Sequence, residues 1–102
     1  PQYVQPLAPE LPSPLVWRDR EGVRFERGLE PKPHDGLRVL EVTVLPRTGV
    51  FVFIVPAVTD PRPVLPPDSE WKLFRKPCGP LVVYELTPLD EPRGLPCLAE
   101  RD

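Results

Sequence analysis

Few side chains in this sequence are of a type that performs covalent chemistry. His34 is the only histidine, and Ser13 and Ser69 are the only serines. A nucleophile needs a base within hydrogen-bond reach, so a triad would require the fold to bring one of these serines, or a cysteine, to His34. His34 precedes Asp35 and Gly36, in a segment whose composition is typical of an exposed turn. We therefore expect no catalytic residue and no enzyme, and a small hydrolase built on His34 is the weakest alternative.

The sequence also lacks a motif that would bind a metal or a cofactor. One histidine and two separated cysteines match no spacing of zinc ligands. The glycines are dispersed along the chain, so they form neither a phosphate-binding loop nor a dinucleotide fingerprint. The acidic pairs Asp68 with Glu70 and Asp90 with Glu91 lie in proline-rich segments, where charged side chains are ordinarily solvated. The sequence predicts no bound metal and no cofactor.

Cys78 and Cys97 are the one pair that could form a covalent link. A bridge between them would close a loop of about twenty residues, worth ~3 kcal/mol in the loop-entropy account, and would fix the tail to the turn before Leu81. The alternative is a pair of reduced thiols, the usual state in a cytosol outside heat-adapted organisms. Because spacing alone does not set the geometry that a bridge needs, both states stay open.

The amino-terminal segment, residues 1–14, carries the clearest interaction signal. Its prolines recur at the three-residue period of a polyproline II helix, namely Pro6, Pro9 and Pro12. Leu7 and Leu11 lie on the two edges that this proline row leaves free, where they would serve as apolar anchors. Such a rod reaches roughly 40 Å, against a radius of gyration of ~13 Å for a domain of this size. We expect it to lie over a neighbouring subunit or its own sheet. One alternative is a ligand for an SH3-type domain, for which Arg18 is the nearest basic residue. The other is a flexible lead segment.

Proline and glycine exclude long helices, so the chain is expected to be all-β. Of 102 residues, 18 are proline and 6 are glycine, which leaves no clean window for a helix of ordinary length. Alternating polarity around turn residues predicts three hairpins: 15–19 with 23–27, 37–45 with 50–55, and 71–76 with 81–86. Residues 71–76 also fit a short helix capped by Asp68 or Ser69, although a strand is favoured. Five to six strands joined by turns predict a small antiparallel barrel or a two-layer sandwich.

The predicted domain organisation is a β domain between two proline-rich extensions. The domain covers residues 15–87 and includes a long proline-rich loop at 56–70; the arm is 1–14 and the tail is 88–102. Residues 50–55 are apolar at every position, so this strand should be covered on both faces. It is expected to form the centre of the core or of an interface, and Phe51 and Phe53 are therefore candidate interaction residues.

Charge and hydropathy restrict the partners. Thirteen basic residues stand against fifteen acidic ones without a long block of either sign, which argues against nucleic acid. The apolar run at 50–58 is too short for a membrane span, and no signal peptide is visible, so a virion or the cytoplasm is the expected location. Methionine is absent and arginine exceeds lysine, as in heat-adapted proteins or in proteins encoded by GC-rich genomes.

These observations favour a structural protein over an enzyme. We expect a subunit whose arms contact neighbouring subunits in a larger assembly, and a phage-like capsid decoration or head-tail protein is one assembly of this kind by analogy of fold. The alternative is a monomeric accessory or small-ligand-binding β-barrel. Its pocket would be lined by aromatic side chains: Trp17, Phe51, Phe53, Trp71 and Tyr84.

Overall fold

The computed structural model describes residues 11, 14–28, 42–45, 50–94 and 96–97, and every regular element in these ranges is a β-strand. The strands are β1 (Leu15–Arg18), β2 (Arg24–Arg27), β3 (Val42–Leu45), β4 (Val50–Pro56), β5 (Arg62–Val64), β6 (Lys72–Cys78) and β7 (Leu81–Thr87). They form a small sheet in the order β2-β1-β5 and a large sheet in the order β3-β4-β7-β6. All pairings are antiparallel. The all-β prediction is confirmed, and the described strands form two separate sheets rather than one closed barrel.

The first predicted hairpin is present, and β1 and β2 end within one residue of their expected bounds. Its turn is built around Asp19, whose backbone N–H donates to the carbonyl of Val23 at 3.0 Å. The Asp19 carboxylate in turn accepts from the backbone N–H of Val23 at 2.9 Å. Gly22 has a φ of 89°, in the left-handed region that glycine adopts without steric cost. This turn fixes the register in which Arg18 lies opposite Arg24.

The loop expected at 56–70 is interrupted by a strand, which corrects the prediction. β5 pairs with β1 over Arg62–Val64, and Pro63 lies opposite Trp17. This segment reads as a loop because proline has no backbone N–H to donate to a sheet. β5 lies at the edge of the small sheet as described, which is the position where a strand tolerates proline.

The large sheet contains the other two predicted hairpins. β3 pairs with β4 along its four residues, and the remainder of the segment predicted to precede it, 37–41, lies outside the described residues. The segment predicted at 71–76 forms a strand rather than a helix, beginning one residue later at Lys72, and β6 pairs with β7 along its whole length. Gly79 and Pro80 join these two strands, and Gly79 has a φ of 64°, as the first position of a tight two-residue hairpin turn requires.

The main core lies between the two sheets. Trp17 is fully buried and meets the ring of Phe53 edge to face, with the centroids 5.0 Å apart. Phe25 stacks on the other side of Trp17 at 6.3 Å. The buried members of this cluster come from both sheets and the loop between them: Leu15, Trp17, Phe53, Val55, Trp71, Val82, Tyr84 and Leu86. Aromatic contacts of this kind join the small sheet to the large one.

A second apolar cluster lies on the opposite face of the large sheet. Side chains of β4 alternate between the two faces. Val52 and Ile54 point to the second cluster, whereas Phe53 and Val55 point to the main core. β4 is therefore covered on both faces, as its unbroken apolar sequence predicts. Cys97 of the carboxyl-terminal tail packs against this second cluster.

Candidate functional site

Asp60 and Tyr84, which are buried, and Arg75, which is exposed, form a polar cluster that joins the large sheet to the turn after β4; we call it the tyrosine cluster. β6 and β7 place Arg75 and Tyr84 directly opposite each other. The Tyr84 hydroxyl donates a hydrogen bond to Oδ1 of Asp60, and Nη2 of Arg75 lies 3.3 Å from Oδ2 of the same carboxylate. Asp60 is only 4% exposed. Its carboxylate is therefore satisfied by two partners inside the chain.

The electrostatics of the tyrosine cluster oppose acid–base chemistry near neutral pH. Burial raises the pKa of Tyr84 to about 12, and the hydrogen bond to Asp60 adds to this rise. The hydrogen bond with Tyr84, more than the nearby Asp60 charge, raises the pKa of Arg75 above its ordinary value. Tyr84 therefore stays neutral and Arg75 stays charged over the physiological range, and neither is poised to transfer a proton.

The tyrosine cluster instead fastens a turn to the large sheet. Asp60 lies at the end of the turn that follows β4, where its backbone N–H donates to the carbonyl of Pro56 at 2.8 Å. Asp60 has a φ of 45°, a conformation that aspartate tolerates better than most residues. The hydrogen bond from Tyr84 holds this turn in place just before β5 begins. The cluster thereby positions the outer strand of the small sheet.

The described part of the tail, residues 88–94 and 96–97, folds back on the large sheet; we call it the tail segment. A disulfide joins Cys78 at the end of β6 to Cys97, with the Cα atoms 5.6 Å apart. The backbone N–H of Arg93 donates to the buried carboxylate of Glu85 at 2.7 Å. Of the two thiol states that the sequence leaves open, the structure has the bridged one.

A small cavity separates the tail segment from the large sheet. Its volume is about 90 Å³, and its walls include Phe74, Val83, Glu85 and Pro92. A water molecule takes about 30 Å³ of liquid, and pockets for small organic ligands usually have ~300–1,000 Å³. This cavity is large enough for a few water molecules only.

The outward face of the small sheet carries a row of arginines. The registers of β1 with β2 and of β1 with β5 place Arg24 and Arg62 on either side of Arg18. All three side chains are exposed, because they alternate with the inward-facing Trp17, Phe25 and Pro63. Within the described ranges, no ion pair or side-chain hydrogen bond engages any of them. We call these three residues the arginine row.

The interaction residues predicted from the sequence lie in different places. Phe53 is 1% exposed and belongs to the core of its own chain, so it has no surface to offer a partner. Phe51 is half-buried and packs against Trp71, with ring centroids 5.8 Å apart. Leu11, expected as an intermolecular anchor, packs against the main core of its own chain. His34 lies outside the described residues. So do the four other predicted interaction residues, Pro6, Leu7, Pro9 and Pro12.

Sequence reasoning missed both the tyrosine cluster and the arginine row. Arg18 and Arg24 flank the first predicted turn symmetrically, and this spacing could have paired them. Arg62 could not have been added, because its strand reads as part of a proline-rich loop. Asp60 and Tyr84 are 24 positions apart and carry no local signal of contact.

The fold and these sites define a small β domain with two packed sheets, a bridged tail and an exposed row of three arginines. No protein-family model matches the chain, and neither a curated protein nor a solved structure shows significant similarity to it. In the described ranges, no group of three or more histidine, cysteine, aspartate or glutamate side chains is arranged to hold a metal ion. None of the described segments forms a helix of the length and hydropathy that a membrane crossing needs.

Proposed function

We propose that this chain is a non-enzymatic interaction subunit that binds other protein chains, either its own copies or members of a larger assembly. The observation that carries the proposal is the arginine row, since three like charges placed side by side with no ion pair among the described residues suit a partner better than an isolated domain. Stability is supplied elsewhere, by the core, the tyrosine cluster and the disulfide.

The disulfide bears on where such an assembly would operate. Disulfides persist on virion and cell surfaces and in the intracellular proteins of some heat-adapted organisms, and they are rare in an ordinary cytosol. A phage-like virion, as a capsid decoration or head-tail component, and a heat-adapted cytoplasm both suit the bridge between Cys78 and Cys97. The virion proposal has no other support than this bridge and the analogy of small β domains with extended arms.

The alternative, a ligand-binding module, receives less support. Four of the aromatic side chains proposed to line its pocket are at least 95% buried in the core: Trp17, Phe53, Trp71 and Tyr84. The cavity of about 90 Å³ beneath the tail segment is too small for an organic ligand of ordinary size.

Light scattering on the purified full chain tests the proposal. The monomer has a mass of 11.6 kDa, and we expect a multiple of this mass at micromolar concentration, or a complex of higher mass when an assembly partner is added. Removing residues 1–10 tests the arm separately and leaves Leu11, which packs on the core, in place. A mass of 11.6 kDa in all conditions, together with saturable stabilisation by a small molecule, would favour the ligand-binding module instead.

A further inference from the structure

The arginine row has the charge, spacing and surroundings to recognise one kind of partner. We propose that it binds an extended acidic segment of a partner protein, through carboxylates that lie between neighbouring guanidinium groups. This inference rests on the proposed function and adds the chemistry of the partner. It names Arg18 as the central contact, with Arg24 and Arg62 on either side.

The charge balance of this face favours an acidic partner. Like charges directly opposite each other on a sheet destabilise the pairing, whereas opposite charges stabilise it. The neighbouring outward row contains Glu26, Val16 and Val64, so it supplies one carboxylate for three guanidinium groups. The turn beyond Arg18 contains Arg20 together with Asp19 and Glu21, so the excess of positive charge belongs to the row itself. Carboxylates brought by a partner would remove the excess.

The spacing of the arginine row matches the spacing of side chains in an extended peptide. Neighbouring strands lie about 4.8 Å apart, so the row spans roughly 10 Å from Arg24 to Arg62. Alternate side chains of an extended peptide lie about 6.7 Å apart on one side, so two of them cover the row. Each carboxylate then reaches two guanidinium groups, which bind carboxylates through paired N–H donors.

The surroundings of the row favour a protein partner over nucleic acid. The aromatic side chains of the small sheet, Trp17 and Phe25, point into the core, so the described outward face offers no ring on which a base could stack. Val16 and Val64 are half-buried beside the row and offer apolar contact to peptide side chains.

Fluorescence anisotropy with defined probes tests the inference on the full oxidised chain. The probes are a labelled peptide of alternating glutamate and threonine, the same peptide with glutamine in place of glutamate, and a single-stranded oligonucleotide of similar charge. We expect saturable binding of the glutamate peptide that weakens with added salt, and at least tenfold weaker binding of the other two probes.

Three variants locate the binding. Arg18→Gln is expected to weaken the glutamate peptide at least about fivefold, and Arg24→Gln to weaken it in the same direction. Arg93→Gln is the matched control, because Arg93 is exposed on the tail segment, away from the small sheet, and should leave binding unchanged. Equal binding by the Arg18 and Arg93 variants, tighter binding of the oligonucleotide, or no binding of the glutamate peptide would each overturn the inference.

The outcome is separable from that of the proposed function. If the full chain associates in light scattering and Arg18→Gln leaves both that mass and peptide binding unchanged, the interaction subunit stands and the acidic partner is wrong. If the chain stays at 11.6 kDa with every added protein, the proposed function fails as well.

Discussion

Arg75 on the large sheet and the arginine row on the small sheet lie in opposite electrostatic surroundings. On the large sheet, Nη2 of Arg75 lies 3.3 Å from the buried carboxylate of Asp60. The same carboxylate accepts a hydrogen bond from the hydroxyl of Tyr84, the residue opposite Arg75. On the small sheet, Arg18 lies between two further arginines and meets no described carboxylate. Arg75 therefore helps to hold the domain together, whereas the arginine row presents its charge to the outside. Changes on the large sheet should alter folding, and changes in the arginine row should alter binding.

The largest effect is expected at the centre of the large sheet. Phe53→Asp would place a carboxylate beside the ring of Trp17, in the apolar main core. We expect a loss of more than ~4 kcal/mol, enough to unfold a domain of this size. Circular dichroism and solution mass check this result. An unchanged melting temperature would show that the core does not lie where the two sheets meet.

The disulfide should rank next. Cys97→Ser releases the tail segment from β6 and is expected to cost ~3 kcal/mol, by the loop-entropy account of a bridge of this span. Urea unfolding in the presence and absence of a reductant measures the effect. The reductant should destabilise the natural chain and leave the variant unchanged. Two thiols titrated in the unfolded, unreduced chain would contradict the bridge.

The tyrosine cluster should contribute less than the disulfide. Asp60→Ala removes the acceptor of the Tyr84 hydroxyl and leaves its buried O–H donor without an acceptor, at a cost of ~1–3 kcal/mol. Asp90→Ala is the matched control, since Asp90 pairs with Lys72 in an exposed salt bridge worth ~1 kcal/mol or less. Equal loss of unfolding free energy in the two variants would mean that Asp60 has no special role.

The raised pKa of Tyr84 predicts a dependence of stability on alkaline pH. Burial favours the neutral phenol in the folded state, so this stabilisation is complete below pH 10, the ordinary pKa, and is lost as pH rises toward about 12. Urea midpoints measured between pH 10 and 12 should fall more steeply for the natural chain than for Tyr84→Phe. Parallel curves would assign the loss to other groups.

Much of the fold could be predicted from local patterns. Period-two alternation with turn residues located the strands of all three hairpins, and the unbroken apolar run of β4 indicated a strand covered on both faces. The strand β5 could not be predicted, because Pro63 removes a ladder donor and only the edge position makes that tolerable. Its register depends on a long-range pairing with β1 that no nearby residue encodes.

The candidate sites were harder to predict than the fold. The arginine row depends on β5, and the tyrosine cluster joins a turn to a strand 24 residues away. The apolar residues chosen as interaction sites, Phe53 and Leu11, are those that the core uses. Hydrophobicity alone does not distinguish an interface from a core.

The unfolding free energy of Arg18→Gln tests the contrast between the two sheets most directly. If the row is an uncompensated surface kept for a partner, removing its central charge relieves repulsion, and the variant should be as stable as the natural chain or more stable by ~0.2–1 kcal/mol. Urea unfolding at low salt gives this value. A loss of ~1 kcal/mol or more would contradict the account, because it would mean that Arg18 is already paired within its own chain.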